Sequence, residues 1–215
     1  MESMRLKLLR QAERASWTFG LLGLVWWGSF QAGTANSTRR DLERFAALRT
    51  VATQDAAPDQ SLWSPKRIAA WRAALEDPAP APLAVLRIDK IRLEVPVLRG
   101  TDDVTLDRAV GHIEGTAAPG DASGNLGIAG HRDGFFRGLK DVTRGDLIEL
   151  VTLRGTFVYR IEETWIVAPT EVAVLDPTPS PALTLVTCYP FYFVGSAPQR
   201  FIVRAVLASG VESDR

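Results

Sequence analysis

Short runs of alternating or β-branched apolar residues dominate the chain from residue 83 onward. Segments rich in Gly, Pro and Asp separate these runs, and Arg154-Gly155 lies between two of them as a tight hairpin turn. This pattern indicates an all-β barrel or sandwich at residues 83–208, followed by a polar tail at 209–215. The predicted strands are residues 85–88, 91–98, 126–129, 147–153, 156–161, 165–167, 183–187 and 201–207.

An uncharged apolar run lies near the N-terminus, at residues 16–35, behind four basic residues between Arg5 and Arg14. A helix of about 20 residues spans a hydrocarbon core of ~30 Å, and basic residues before it favour the cytoplasmic side. We therefore predict a cytoplasmic segment at 1–15 and an uncleaved transmembrane signal anchor at 16–35. The rest of the chain would then lie outside the cytoplasm, with the N-terminus inside. The alternatives are a cleaved signal peptide, which usually has a shorter apolar core, and a buried core helix.

Residues 36–82 are predicted to form a helical stalk that ends in a proline-rich linker. Ser64 followed by Pro65 is typical of a helix N-terminus, because Ser caps the first turn and Pro fits its first position. The linker favours a stiff, extended connection and marks a domain boundary. The preferred interpretation is a stalk between membrane and domain. In the alternative, Trp63 or Trp71 packs on the domain and partly covers its cleft.

Composition excludes several classes of function. The chain of 215 residues carries 25 Lys and Arg against 25 Asp and Glu, so nothing in its charge favours nucleic acid. Its single cysteine excludes an internal disulfide. One cysteine and two histidines also argue against a protein-ligated zinc site, and the few acidic residues between 165 and 183 argue against calcium. No metal or other cofactor is predicted.

The candidate chemistry lies at predicted strand ends. Cys188 ends one apolar strand, and Arg200 opens the next strand twelve residues later. If these two strands are neighbours, both residues lie at the same rim, although Arg204 points to the same face and is an alternative to Arg200. His131 leaves the end of an earlier strand, and its spacing alone does not place it at that rim.

A cysteine, a histidine and an arginine together favour acyl transfer through a thioester. A thiol is a strong nucleophile, and a neighbouring cation stabilises its thiolate. An imidazole can pass a proton to a leaving amine, and a guanidinium can donate to the oxyanion of a tetrahedral intermediate. Each residue alone has a plainer interpretation, since an unpaired cysteine in an apolar strand is often only a buried side chain.

Three motifs resemble those of the sortases. Thr-Leu-Val-Thr-Cys-Tyr-Pro at 184–190 resembles their cysteine signature, and Gly-His-Arg-Asp-Gly-Phe-Phe at 130–136 resembles their histidine segment. Arg200 matches the arginine that completes the set. The segments 111–116, 119–125 and 195–200 are similar to those of class D sortases. The resemblance covers residues 83 to 207.

The resemblance implies a sortase β-barrel with about eight strands and the activity of a cysteine transpeptidase. Cys188 would attack the threonine carbonyl of a sorting motif of the Leu-Pro-x-Thr-Gly type and form a thioester. His131 would protonate the leaving amine, and Arg200 would hold the substrate or the oxyanion. Thr187 is implied as a helper beside the nucleophile. His112 is expected near the cleft, where a structural role is preferred and a substrate-contacting wall of the cleft is the alternative by analogy.

The partners implied are a substrate protein with a C-terminal sorting signal and an amine acceptor, either peptidoglycan or another protein. From position alone, the loop that begins at Tyr189 is expected to contact substrate. A catalytically silent envelope β-barrel that binds protein tails is the alternative function. A cell-wall transpeptidase of the L,D type is disfavoured, because Val186 and Thr187 precede the cysteine where that class has His and Gly.

Overall fold

The computed structural model describes residues 58–76, 78, 81–192 and 195–210. The strands close into one barrel in the order β1-β2-β3-β4-β7-β8-β6-β5, which confirms the predicted all-β barrel with about eight strands. The strands are β1 (Ala84–Ile88), β2 (Leu93–Arg99), β3 (Val110–His112), β4 (Asn125–Gly130), β5 (Leu147–Thr152), β6 (Gly155–Val167), β7 (Ala182–Tyr189) and β8 (Gln199–Gly210).

The helices among the described residues are short. Helix α1 (Pro65–Ala74) begins where the sequence predicts, with the hydroxyl of Ser64 accepting a hydrogen bond of 3.2 Å from the amide of Arg67. Helix α2 (Asp103–Arg108) is capped by Asp102 in the same manner. Three 3-10 helices cover Asp89–Ile91, Phe135–Asp141 and Val172–Leu175.

Alternation along the strands builds the core. In β5, Ile148 and Leu150 are fully buried, whereas Leu147 is 51 % exposed. Successive side chains of a strand point to opposite faces, so every second residue enters the barrel. Phe136 and Leu139 of the 3-10 helix Phe135–Asp141 are also fully buried and join this core.

Strand pairing brings three strand ends to one rim of the barrel. β4 and β7 are parallel neighbours, so their C-terminal ends lie side by side, with Gly130 paired with Thr187. β8 runs antiparallel to β7, so its first residues lie beside the last residues of β7. The residues that follow β4, end β7 and begin β8 therefore meet at this rim.

Several predicted boundaries were wrong. β6 is one strand of thirteen residues with two register shifts, where two strands had been predicted. β2 starts at Leu93 because the 3-10 helix Asp89–Ile91 and the left-handed Arg92 precede it. The β5–β6 turn is Leu153-Arg154, one residue earlier than predicted, and Gly155 already pairs with Thr152. Strand β3 and helix α2 had not been predicted.

The predicted segments at 1–15 and 16–35 lie outside the described residues, as do residues 36–57 of the predicted stalk. Of the polar tail predicted at 209–215, residues 209 and 210 belong to β8, so that boundary was wrong, and residues 211–215 lie outside the described residues. Within the ranges that the structure describes, no helix combines the length and the apolar character needed to cross a bilayer.

Candidate active site

The rim holds the cysteine and the arginine at one level. Cys188 of β7 is the Cα partner of Arg200 of β8. Arg204 lies four residues further along β8, paired with Thr184, so it stands well below the thiol. Its guanidinium donates to the carbonyl of Val174 at 2.7 Å. Of the two arginines that the sequence left open, Arg200 is therefore the one beside Cys188.

His131 lies at the same rim. It follows β4 directly, and the register that pairs Gly130 with Thr187 places His131 next to Cys188. The hydroxyl of Thr187 donates to the carbonyl of Gly130 at 2.7 Å, which ties the two strand ends together just before the histidine and the cysteine. Thr187 itself is only 2 % exposed. Its observed contact is therefore with the backbone that carries His131.

The donors of Arg200 are only partly used. Its Nη1 donates to the carbonyls of Ala197 at 3.3 Å and Gln199 at 3.0 Å, which holds the guanidinium over the start of β8. Within the part of the chain that the structure describes, Nε and Nη2 have no hydrogen-bond partner. A guanidinium carries five N–H donors, so this arrangement leaves donors for a substrate oxygen.

A carboxylate that the sequence analysis missed lies beside His131. Oδ1 of Asp107, in helix α2, is 3.2 Å from Nε2 of His131. The same oxygen forms an ion pair with Arg67 of helix α1, and Nε of Arg67 also donates to Asp133 at 3.1 Å. The available signal was the helix start at Asp102-Asp103, after which Asp103 and Asp107 share one face of a helix.

The surroundings of His131 lower its pKa below the ordinary value of 6.5. Burial is the largest cause, because it disfavours the charged imidazolium, and the nearby guanidinium of Arg67 acts in the same direction. The carboxylates of Asp107, Asp133 and Asp103 oppose both effects. The site thus favours a neutral imidazole, which can accept a proton from a thiol.

Helix α1 packs on the domain beside this cluster. Trp63, just before the helix, is 9 % exposed, and its ring meets that of Phe135 edge to face at a centroid distance of 4.9 Å. Arg108 donates to the carbonyl of Ala74 at the other end of the helix. The sequence favoured a stalk between membrane and domain over a segment whose Trp63 or Trp71 packs on the domain and partly covers its cleft. The structure shows Trp63 packed on the domain, and the connection to a membrane stays a prediction.

The other two predicted contact residues lie in different surroundings. His112 is in β3, opposite Ile128, and is 7 % exposed. Its Nε2 lies 3.0 Å from the carbonyl of Ala117 and 3.2 Å from the hydroxyl of Thr116. Since a carbonyl only accepts, Nε2 carries the hydrogen, and these contacts fix the 112–117 turn.

Tyr189 lies at the rim, one residue past Cys188. Its ring stacks on Phe201 at 6.4 Å and meets Phe191 edge to face at 6.0 Å. Arg132 donates to the carbonyls of Pro190 and Gly195, so the loop after Tyr189 is held by the residue next to the histidine. The sequence alone did not reveal this connection between the two loops.

Comparisons with known proteins agree with this geometry. The family model for the sortase domain matches residues 86–208. Sortase D of Bacillus subtilis is 38 % identical over 120 residues, which cover 55 % of this chain and 60 % of that protein. Sortase SrtE1 of Streptomyces coelicolor is 36 % identical over 125 residues, covering 50 % of this chain and 36 % of that protein. The matched part of the chain thus spans less than two thirds of the length of these curated relatives.

A solved structure of a Clostridium perfringens Sortase D5 transpeptidase superposes with a TM-score of 0.56 and 26 % identity. The superposition covers 80 % of this chain and 99 % of that one. Sortase E1 of Streptomyces coelicolor, solved with a tripeptide in its active site, gives 0.54 at 31 % identity, over 60 % of this chain and 88 % of that one. The family match extends over more than half of the chain and contains the whole rim. The chain belongs to the sortase family, as its motifs predict.

Proposed function

We propose that this sortase is a cysteine transpeptidase that cleaves a sorting motif of the Leu-Pro-x-Thr-Gly type after its threonine and transfers the product to an amine. One observation carries the proposal. The parallel pairing of β4 with β7 places His131 next to Cys188, while the antiparallel pairing of β7 with β8 places Arg200 on the other side of the thiol. A nucleophile, a proton carrier and a cation thus share one rim.

The first half of the reaction forms a thioester. His131 accepts the proton of the Cys188 thiol, the sulfur attacks the threonine carbonyl carbon, and a C–S bond forms as the carbonyl becomes an oxyanion. Arg200, the Cα partner of Cys188, would donate to that oxyanion through the N–H groups that its backbone contacts leave free. When the intermediate collapses, the C–N bond to the following residue breaks, and His131 gives its proton to the leaving amine.

The second half transfers the acyl group. An incoming amine attacks the thioester carbonyl and loses its proton to His131, and the Cys188 thiolate leaves. The catalyst is then restored, and one peptide bond has been exchanged for another. Water in place of the amine would give hydrolysis. The neutral imidazole that the site favours is the form needed to accept the proton of the incoming amine.

The relatives support the proposal. The Clostridium perfringens neighbour is described as a Sortase D5 transpeptidase, and the Streptomyces coelicolor one was solved with a tripeptide in its active site. The motif of the Leu-Pro-x-Thr-Gly type and the choice of peptidoglycan or protein as acceptor come from the resemblance of the three motifs. The loop after Tyr189 borders the nucleophile and is proposed to contact the motif.

We further propose that the enzyme is anchored in the cytoplasmic membrane by residues 16–35, with the catalytic domain outside. The support is the uncharged run and its basic flank. The test is fractionation and external protease treatment of cells that make the full chain. A chain that sediments with membranes and is cut only from outside fits the proposal. A chain found in the cytosolic fraction would contradict it.

The catalytic proposal is tested with the full chain, a library of sorting peptides and an amine acceptor. Mass spectrometry should detect an acyl group on Cys188 and a peptide joined to the acceptor, and Cys188→Ala should abolish both. Because Cys188 is the only cysteine, alkylation of the protein reports this thiol alone. Turnover by Cys188→Ala at the wild-type rate would contradict the proposal. Binding of peptides without acylation would favour the silent tail-binding barrel.

A further inference from the structure

Three side chains from separate segments meet at one carboxylate oxygen. Oδ1 of Asp107 is 3.2 Å from Nε2 of His131 and also forms the ion pair with Arg67. All three side chains are largely buried: 23 % of Asp107, 23 % of His131 and 16 % of Arg67 is exposed. Partly buried charges at these distances interact more strongly than exposed ones, because solvent screens them less.

The contact occupies one ring nitrogen of His131. Nε2 of His131 lies 3.2 Å from an oxygen of Asp107, and an ionised carboxylate repels a nitrogen lone pair, so this contact favours the tautomer with hydrogen on Nε2. In a neutral imidazole the other nitrogen, Nδ1, is then the basic one. Asp107 thereby determines which nitrogen of His131 is left to exchange protons.

Arg67 balances the negative charge around the histidine. Asp107 and Asp133 both contact Arg67, and Asp103 lies on the same helix as Asp107. Without the guanidinium, three carboxylates would face His131 and stabilise its imidazolium. In the proposed reaction His131 must both donate and accept a proton. A strong preference for the charged or the neutral imidazole would slow one of these two transfers.

Arg67 reaches this position only while helix α1 is docked. Trp63 against Phe135 fixes the start of the helix, and Arg108 bound to the carbonyl of Ala74 fixes its end. The fork of Arg67 spans two carboxylates on different segments, with Nη1 on Asp107 and Nε on Asp133. A lysine presents a single ammonium and does not reproduce that fork.

We propose that Asp107 and Arg67 are positioning residues of the active site. Asp107 holds Nε2 of His131 so that Nδ1 serves the thiol and the substrate, and Arg67, delivered by helix α1, keeps Asp107 in place and offsets its charge. The segment before the barrel is therefore a working part of the catalytic centre. This inference rests on the proposed transpeptidase function.

The test uses the full chain in detergent with its histidines labelled with ¹⁵N. Only two histidines are present, and His131 is identified by the signals lost in His131→Asn. Long-range ¹H–¹⁵N spectra recorded against pH give the tautomer and the titration of His131 without any substrate. In parallel, kcat and KM are measured for a sorting peptide across pH. Helix α1 offers a matched control, because Arg72 on the same helix is exposed and Arg72→Gln removes the same charge.

The two substitutions should move the pKa of His131 in opposite directions. Arg67→Gln removes a cation and should raise it, whereas Asp107→Asn removes a carboxylate, leaves Arg67 unbalanced and should lower it further. The acidic limb of the pH–rate profile should follow each shift. Asp107→Ala, which also loses the acceptor, should lower kcat about a hundredfold with little change in KM, because the ring is no longer held. Arg72→Gln should match the wild type.

A purely structural role predicts a different pattern. Both substitutions would then lower the free energy of unfolding while the His131 titration and its Nε2–H tautomer stayed as in the wild type, and that result would overturn the inference. If Arg67→Gln does not fold, Arg67→Lys, which keeps the charge, replaces it in the test. If the titrations shift as expected but no peptide is acylated, the positioning pair stands and the proposed function falls. If peptides are acylated but the His131 titration does not move, the proposed function stands and the positioning role of Asp107 and Arg67 falls.

Discussion

Gly130 is the residue at which a single methyl group should damage the active site most directly. It ends β4, precedes His131 and packs against the ring of Phe136. A Cβ at this position would lie 2.7 Å from Cδ2, 2.9 Å from Cγ and 3.1 Å from Cε2 of that ring. Non-bonded carbon atoms prefer about 3.5–4.0 Å, so the ring would have to move by about 1 Å.

The ring has little room to move. Phe136 is fully buried in the barrel core, and its amide donates to the carbonyl of His131 at 3.3 Å. Overpacking of this kind costs about 1–3 kcal/mol. For a chain of this size each kcal/mol lowers Tm by about 2–4 °C, so Gly130→Ala should melt about 2–12 °C lower. Displacement of His131 by about 1 Å should lower kcat by up to about a hundredfold.

The assay is a double-mutant cycle with Phe136→Leu, measured by urea unfolding and by acylation of Cys188. Leu is smaller than Phe, so the added methyl group of Gly130→Ala should cost less in the Leu background, with a coupling energy of about 0.5–3 kcal/mol. Phe136→Leu alone is the control for loss of core volume. Equal costs of Gly130→Ala in both backgrounds, or a Gly130→Ala enzyme as stable and active as the wild type, would refute the steric reasoning.

Three further predictions concern the same rim. Thr187→Val removes the buried donor to the carbonyl of Gly130 and should cost about 1–3 kcal/mol in urea unfolding; an unchanged midpoint would contradict this role. Arg200→Lys should lower kcat/KM about a hundredfold, as loss of an oxyanion donor does, while Arg204→Lys should mainly lower Tm; the opposite pattern in peptide cleavage and melting would reverse the assignment. Because burial lowers the pKa of His131 in the folded state, the unfolded chain binds the proton first, and stability should fall as pH drops below about 6.5. His131→Asn should flatten the plot of the free energy of unfolding against pH in this range. A slope equal to that of the wild type in this variant would contradict the lowered pKa of His131.

The strands were predictable where burial alternates. In β5 one face enters the core, and the apolar pattern records the alternation. β7 is buried on both faces at residues 182–185, and it was predictable as a continuous apolar and β-branched run. β3 has only three residues, too few for a period to be seen. β6 carries two register shifts, which break its alternation and made one strand resemble two. The alternation of apolar residues therefore does not predict a strand correctly where the strand is short or contains a bulge.

The site was predictable only in part from spacing. Cys188 and Arg200 are close in sequence and joined by one loop, so adjacent antiparallel strands sufficed to bring them together. His131 is 57 residues from Cys188, and its place depends on the parallel pairing of β4 with β7, which no local pattern encodes. The strand-end position made this histidine a candidate, but only the family resemblance assigned it to the site, and the match to the sortase domain confirmed the resemblance.

The contacts of Arg67 determine which charges face His131. The barrel alone supplies Cys188, His131 and Arg200, and a protein that began at β1 would contain every residue that the motifs identify. Such a protein would lack the cation that offsets Asp107 and Asp133 beside the histidine. Its His131 would face carboxylates alone and hold its proton more tightly, so the second half of the reaction, in which the imidazole must accept a proton, would suffer first. Kinetics measured on the barrel alone would therefore reflect a His131 that holds its proton more tightly than in the chain that carries helix α1.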